Sequence, residues 1–249
     1  MKLLILSDCH ANIHALNAVW AKESDCDYIL FLGDMVDYGF YPKETVRWFM
    51  DRKEKLFAVR GNHDEWILEH KDEPHPENPM TNFQSHTFAQ LGQEEYDFLA
   101  SLPHETTFTL GDMDFYMCHT PDELTDEVFF VEQQLGTVQA AAFFEERFGT
   151  KFPQAQSPKK MLLYGHSHLQ WVMSAGENRW IANPGSLSYR FYSYEPIRCA
   201  DYMVWQDGDF GLRHVDFDTT RLFAKATEFE NPEATRLAKA FYREKGEVL

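Results

Sequence analysis

Five short stretches of this chain carry side chains that bind metal ions. They are Ser7-Asp8-Cys9-His10, Gly33-Asp34-Met35-Val36-Asp37-Tyr38-Gly39, Arg60-Gly61-Asn62-His63-Asp64, Cys118-His119 and Gly165-His166-Ser167-His168. From them Asp8, His10, Asp34, Asn62, His119, His166 and His168 offer two carboxylates, one amide oxygen and four imidazoles, with no thiolate. Mixed nitrogen and oxygen ligation of this kind favours Mn²⁺ or iron, with Zn²⁺, Co²⁺ and Ni²⁺ also suited, over a soft thiophilic ion. Two divalent ions about 3.5–4 Å apart lower the pKa of a bridging water and clamp phosphoryl oxygens. The chemistry within reach is phosphate-ester hydrolysis, in which a metal-bridging hydroxide attacks phosphorus in line and a proton must reach the leaving alkoxide. A single Asp-x-His or Gly-Asp pair arises readily in turns and helix caps, so the signal lies in five such stretches along one chain.

Most of these stretches directly follow a short apolar run. Lys2 to Leu6 leads to Asp8, Asp27 to Leu32 to Asp34, and Leu56 to Val59 to Asn62. Between them, Ile13, Leu16, Val19 and Trp20 recur at helical spacing after a candidate N-cap at Asn12, and Val46, Phe49 and Met50 do so after Pro42. Strand, helix, strand, helix, strand predicts right-handed crossovers and a parallel sheet, with the ligands at the carboxyl ends of its strands.

Beyond residue 65 the pattern changes. Glu69 to Pro79, rich in charge and proline, reads as an exposed connection, and Phe88, Leu91, Tyr96, Leu99 and Leu102 predict one or two helices ending at Pro103. Hairpins are predicted around Gly111-Asp112, Gly176-Glu177-Asn178 and Asp207-Gly208-Asp209, with Met161 to Tyr164 a strand delivering His166 and Asn183-Pro184-Gly185-Ser186 a tight loop. Helices are expected over about 132–148, from Thr219 to about Thr227, and from Pro232 to about Lys245. The stretches at about 65–103 and 121–158 are candidate substrate-selecting insertions in a single domain of 249 residues.

Composition narrows the partners. A formal net charge of −17 argues against binding to nucleic-acid polymers or an anionic membrane surface, both of which need excess positive charge. The expected partner is a small phosphorylated substrate, a nucleotide among the candidates, with bound metals supplying the local positive charge. Four cysteines without paired spacing and an N-terminal apolar run too short for a signal peptide predict a cytoplasmic protein with reduced thiols. No apolar stretch approaches the roughly 20 residues of a membrane span.

The series Asp8-x-His10, Gly33-Asp34, Gly61-Asn62-His63-Asp64, His119 and Gly165-His166-Ser167-His168 resembles the calcineurin-like metallophosphoesterases. The resemblance spans residues 3 to 186, and Asn12, Asp37-Tyr38-Gly39 and Asn183-Pro184-Gly185-Ser186 make it closest to the compact bacterial branch of phosphodiesterases, protein phosphatases and diadenosine tetraphosphate hydrolases. It implies an α/β fold, the four-layer αββα sandwich with mixed sheets. It also implies one metal held by Asp8, His10 and His168, a second by Asn62, His119 and His166, and Asp34 bridging both. His63 would protonate the leaving group. The pattern departs from the family at Thr120-Pro121 after His119 and at Leu187-Ser188-Tyr189-Arg190 after Ser186, both of which bear on the substrate rather than on the metals.

Several residues carry two readings. Asp64 either orients the His63 imidazole or caps the following helix. Arg60 and Arg190 either grip phosphate or form ion pairs. Cys9 and Cys118 read as core thiols, and Tyr189, Phe191, Tyr192 and Tyr194 either stack a nucleobase or pack. His14, His70, His75, His86, His104 and His214 lack ligand spacing and read as structural or surface residues. A different class, a non-catalytic scaffold on the same fold that uses its surface for protein partners, would be expected to have lost ligands or the proton donor, and none is missing.

Overall fold

The computed structural model describes residues 1–120, 142, 144–146, 157–188 and 199–229. Two five-stranded mixed sheets stack face to face. In the first, β1 (Lys2–Leu6), β2 (Tyr28–Phe31) and β3 (Leu56–Ala58) run parallel, as the alternation of strands and helices predicts. The crossovers are α1 (Ile13–Glu23) and α2 (Pro42–Met50). Asn12 caps α1 by accepting the Ala15 N–H at 3.1 Å, and Pro42 opens α2, where no intrahelical N–H is needed. After β3 come α3 (Asn62–His70), α4 (Phe83–Gln90) and α5 (Gln93–Ser101), so most of the 65–103 stretch is helical.

The second sheet begins with the hairpin β4 (Glu105–Leu110) and β5 (Met113–Cys118) and continues with β6 (Lys159–Leu163), β7 (Gln170–Ser174) and β8 (Arg179–Pro184). Its order is β4-β5-β6-β8-β7, with β5, β6 and β8 parallel at the centre. The chain then returns to the first sheet, where β9 (Cys199–Gln206) pairs antiparallel with β1 and β10 (Asp209–Asp216) with β9. Helix α6 (Thr220–Ala226) follows. Most of 121–158, all of 189–198 and the helix expected from Pro232 lie outside the described residues, and with them Arg190 and the aromatic cluster. Ala142 and Phe144 to Glu146, inside the helix expected over 132–148, are helical.

The two-residue period of the strands builds the layers. Leu3, Ile5, Leu30, Leu32 and Val59 point inward and meet Met113, Phe115, Met117, Met161 and Leu163 of the other sheet. Leu4, Leu6, Ile29 and Phe31 point outward and are covered by Leu16, Val19, Val46 and Phe49 of α1 and α2. Each such aliphatic side chain contributes about 1.5–3 kcal/mol on burial. On the far side, Tyr116, Leu162, Tyr164 and Ile181 pack against Phe144. Helix, sheet, sheet, helix is the resulting order, and the three parallel strands of each sheet deliver their following loops to one end of the sandwich.

Cys9, Cys26 and Cys118 are buried free thiols, Cys9 facing the core beneath the first ligand loop. Among the described residues no helix is long and apolar enough to cross a membrane.

Candidate metal centre

The ligand loops leave their strands through left-handed backbone. Asp8, His10, Ala11, Asp34, Asp37, Tyr38, His166 and His168 all have φ between 43 and 66°. Conformations of this kind cost a non-glycine residue about 1 kcal/mol or more each and persist only where neighbours over-determine them. Those neighbours are visible. Asp8, His10 and Ala11 donate their N–H groups to the carbonyls of Gly33, Asp34 and Met35 at 3.0, 3.0 and 2.8 Å, zipping the first two loops together. Gly33, at φ +99°, packs so closely on Gly61 that a Cβ would stand 2.6 Å from the Gly61 nitrogen.

Asp64 tightens the same junction. Its Oδ2 accepts the N–H groups of Asp34 (2.9 Å) and Gly61 (3.1 Å), and its Oδ1 those of Met35 (2.9 Å) and Val36 (3.2 Å). Burial, with the Asp34 charge adding to it, pushes its carboxyl up to about 7, while the amide donors pull the other way. Of the two readings for Asp64, the cap is therefore the one the structure adopts, and it does not face His63. That part is taken by Asp37, which lies 2.9 Å from His63 Nδ1 through Oδ2. Gln84, on α4, donates its amide to the same oxygen at 3.0 Å. Asp37 was visible in the sequence as part of the Gly33 to Gly39 stretch, but nothing local assigned it this partner.

All seven candidate ligands converge. His168 Nε2 lies 3.2 Å from Asp8 Oδ1 and 3.3 Å from His10 Nε2, and Asp8, His10 and His168 place their donor atoms within 4.8 Å of one another. Asp8, Asp34 and His119 form a second such group. Asp34 Oδ2 stands between the two, 3.7 Å from His10 Nε2 and 3.2 Å from His119 Nε2. Asn62 Oδ1 lies 3.0 Å from both His119 Nε2 and His166 Nδ1. The His119 Nδ1–H donates to the Leu32 carbonyl at 2.7 Å, which turns Nε2 toward the centre. The 183–186 loop braces the assembly from below: Ser186 Oγ donates to the Asp8 carbonyl at 3.0 Å, and Asn183 Nδ2 to that of Gly165 at 2.8 Å.

The electrostatics fit a divalent cation. Burial works against ionisation of Asp8 and Asp34, yet His168 and His119 beside Asp8, and His119 and His63 beside Asp34, hold both carboxyls below their usual range. His119, although buried, is raised to about 10 by Asp34 and Asp8. His10 is pushed down to about 3 by burial, and burial with His119 nearby lowers His166, so both offer neutral nitrogens. Asp8 Oδ1 is fully buried and meets no aligned hydrogen-bond donor. Two buried carboxylates are drawing protons onto a neighbouring imidazole, and bound metal would supply that charge and displace the proton. Asn62 is exposed and His166 half-buried, while Asp8, His10, Asp34, His119 and His168 are buried, so the centre opens to solvent on the Asn62 side.

His63 sits on the opposite flank, its ring edge-on to His10 (5.0 Å between centroids) and Tyr38 (4.8 Å). Burial opposes its charge, but Asp34 and Asp37 together raise it to about 9. Arg60 pairs with Glu65 (3.2 Å) and contacts His104 Nε2 (3.0 Å). Of its two readings the ion pair is the one present. Among the histidines without ligand spacing, His86 is buried against the Phe40 carbonyl at 3.0 Å and His70 stacks on Trp66.

The fold has counterparts. A solved structure of a metallophosphoesterase from Sphaerobacter thermophilus is similar, with a TM-score of 0.67 and 24% identity over 96% of this chain and 100% of that one. So is that of a hypothetical protein from Pyrococcus horikoshii, with a TM-score of 0.71 and 16% identity over 97% of each chain. An uncharacterized protein of Methanocaldococcus jannaschii is 23% identical over 93% of this chain and 94% of its own length. These likenesses speak for the fold. The sequence profile of the calcineurin-like phosphoesterase superfamily domain matches residues 1–200, a span that contains every ligand loop described above, and this chain belongs to that superfamily.

Proposed function

We propose that this chain is a dinuclear metal-dependent hydrolase of small phosphoesters. One observation carries the reading: seven nitrogen and oxygen donors from five loops meet at one end of the sandwich, with Asp34 between the two groups they form. Asp8, His10 and His168 would hold one ion, and Asn62, His119 and His166 the other. Divalent ions bound there supply an activated water and neutralise the phosphoryl oxygens. Manganese or iron suits the donor set best. Asp34 would orient both groups of ligands through its carboxylate, and its Oδ1 accepts the His63 N–H at 3.0 Å, tying the ligand loop to the proton donor. His63, held by Asp37, would give its proton to the leaving oxygen. The candidate substrates are phosphomonoesters, phosphodiesters and dinucleoside polyphosphates in the cytoplasm.

The test is hydrolysis of bis-p-nitrophenyl phosphate and p-nitrophenyl phosphate by protein stripped of metal and reloaded with Mn²⁺. Turnover that appears only on reloading supports the proposal. Its absence on both esters at full metal loading would refute it and restore the scaffold reading.

A further inference from the structure

Resting on the hydrolase reading, we infer that the cavity beside Asn62 and His119 holds the ester substituent that stays on phosphorus. We further infer that this substituent is an uncharged nucleoside, which makes the substrate a phosphodiester of a nucleoside monophosphate. The cavity encloses about 660 Å³, within the range of small-ligand sites. One face of α3 forms much of its wall, because Asn62, Glu65, Trp66 and Glu69 recur at helical spacing. His104 and Thr120 face them. The helix that carries Asn62 and His63 into the centre therefore also presents a recognition surface.

Position decides which part of a substrate enters. His63 does not line the cavity; it packs on His10 and Tyr38 on the other flank. The leaving group must go toward the proton donor. What occupies the cavity is therefore retained, and a monoester has no such group.

Charge decides its polarity. Arg60 is the one lysine or arginine among the described residues of the wall, and it is engaged by Glu65 and His104. Glu65, Glu69 and Glu105 stand against it, so a further phosphate would meet a net negative surface. A hydroxyl-bearing neutral group meets acceptors instead.

Shape decides its character. Trp66 is 40% exposed, and its indole is stacked on the His70 ring at 4.3 Å and 18°. Phe88 lies tilted 5.9 Å from the same ring, and a rigid aromatic side chain braced in this way, lining the cavity and partly open to solvent, is a stacking platform for a base.

The experiment compares the p-nitrophenyl ester of thymidine 5′-monophosphate with methyl p-nitrophenyl phosphate, which share a leaving group and differ in the retained substituent. The Mn²⁺-loaded protein should prefer the nucleoside ester in kcat/KM. Trp66→Ala should cut that preference about tenfold and Trp66→Phe should keep most of it. An identical preference in wild type and Trp66→Ala, or none in wild type, would overturn the assignment. Calorimetric titration with thymidine 5′-monophosphate and with inorganic phosphate separates the pocket from the chemistry. Tighter binding of the nucleotide, lost in Trp66→Ala, supports the pocket even where neither ester turns over, an outcome that would sink the hydrolase reading alone. Equal affinities for the two ligands would sink the pocket whatever the turnover.

Discussion

Replacing Asp37 with asparagine removes the charge that faces His63 Nδ1 at 2.9 Å while keeping the size of the side chain. His63 is raised to about 9 against the effect of its own burial, by the Asp34 charge first and then by the Asp37 hydrogen bond and charge. A hydrogen bond to a charged group is worth about 1.5–3 kcal/mol, which corresponds to about one to two pKa units. His63 can donate only while protonated. Lowering its pKa therefore empties the proton at lower pH, and the alkaline limb of the pH–rate profile should move down by about one to two units in Asp37→Asn. Metal bound at the centre would pull the limb down in both proteins alike, so the displacement between them is the quantity to read. The assay is kcat against pH on metal-saturated protein, with an alkyl ester and a p-nitrophenyl ester in parallel. Above the limb the alkyl ester should slow by about 10- to 100-fold, whereas p-nitrophenolate leaves without needing a proton and should change little. Metal content should stay that of the wild type, because Asp37 lies outside both donor groups. An unmoved limb, or an equal loss on both esters, would refute the assignment of Asp37 as the residue that holds the proton donor.

Three further outcomes are expected. Asp34→Asn should weaken metal binding at both positions by at least about tenfold, since on the proposed reading one carboxylate standing between His10 and His119 would serve both ions, and two equivalents of tightly bound metal in the purified variant would contradict this. Asp64→Asn turns an amide donor toward two of the four buried N–H groups it now accepts; urea denaturation should register a loss of about 2–6 kcal/mol, and a midpoint unchanged from wild type would dismiss the clamp. Glu23, buried at the end of α1, receives Lys2 (2.8 Å), the Tyr202 hydroxyl (2.9 Å) and Arg213 (2.7 Å), and although burial opposes its charge these partners hold its carboxyl below the usual range. A lowered folded pKa means stability that is fully present above the ordinary glutamate range and lost as pH falls through the lowered folded pKa, so Glu23→Gln should melt earlier at pH 7 by about 1–3 kcal/mol of stability and converge with wild type only in acid below that folded pKa. A gap that persists in acid would point to packing instead.

Residue order alone shows which donor atoms are available and roughly where they lie along the chain. Metal-ligating side chains are chemically distinctive, and the apolar runs before Asp8, Asp34 and Asn62 placed them at strand ends because a two-residue period and a helical period are both local signals. Asn12, Pro42 and the Gly111-Asp112 turn marked their element boundaries for the same reason. Sheet order was not legible. The return of Cys199–Gln206 to pair with Lys2–Leu6 joins residues about two hundred positions apart, and no local pattern encodes that register. Nor were second partners. Asp64, immediately after His63, read equally well as its orienting carboxylate, but as the third residue of α3 it turns back to the helix start and to the Asp34 loop. Asp37 reaches His63 only because the chain kinks through left-handed conformations at Asp37 and Tyr38, and Gln84 reaches Asp37 from a helix packed 47 positions away. The cavity beside Asn62 has the same origin: α3 and the ends of β4 and β5 meet there through packing between the layers. Residue chemistry is a property of the chain, whereas the pairing of one polar group with another across 26 to 158 positions is set by which strands and helices lie side by side.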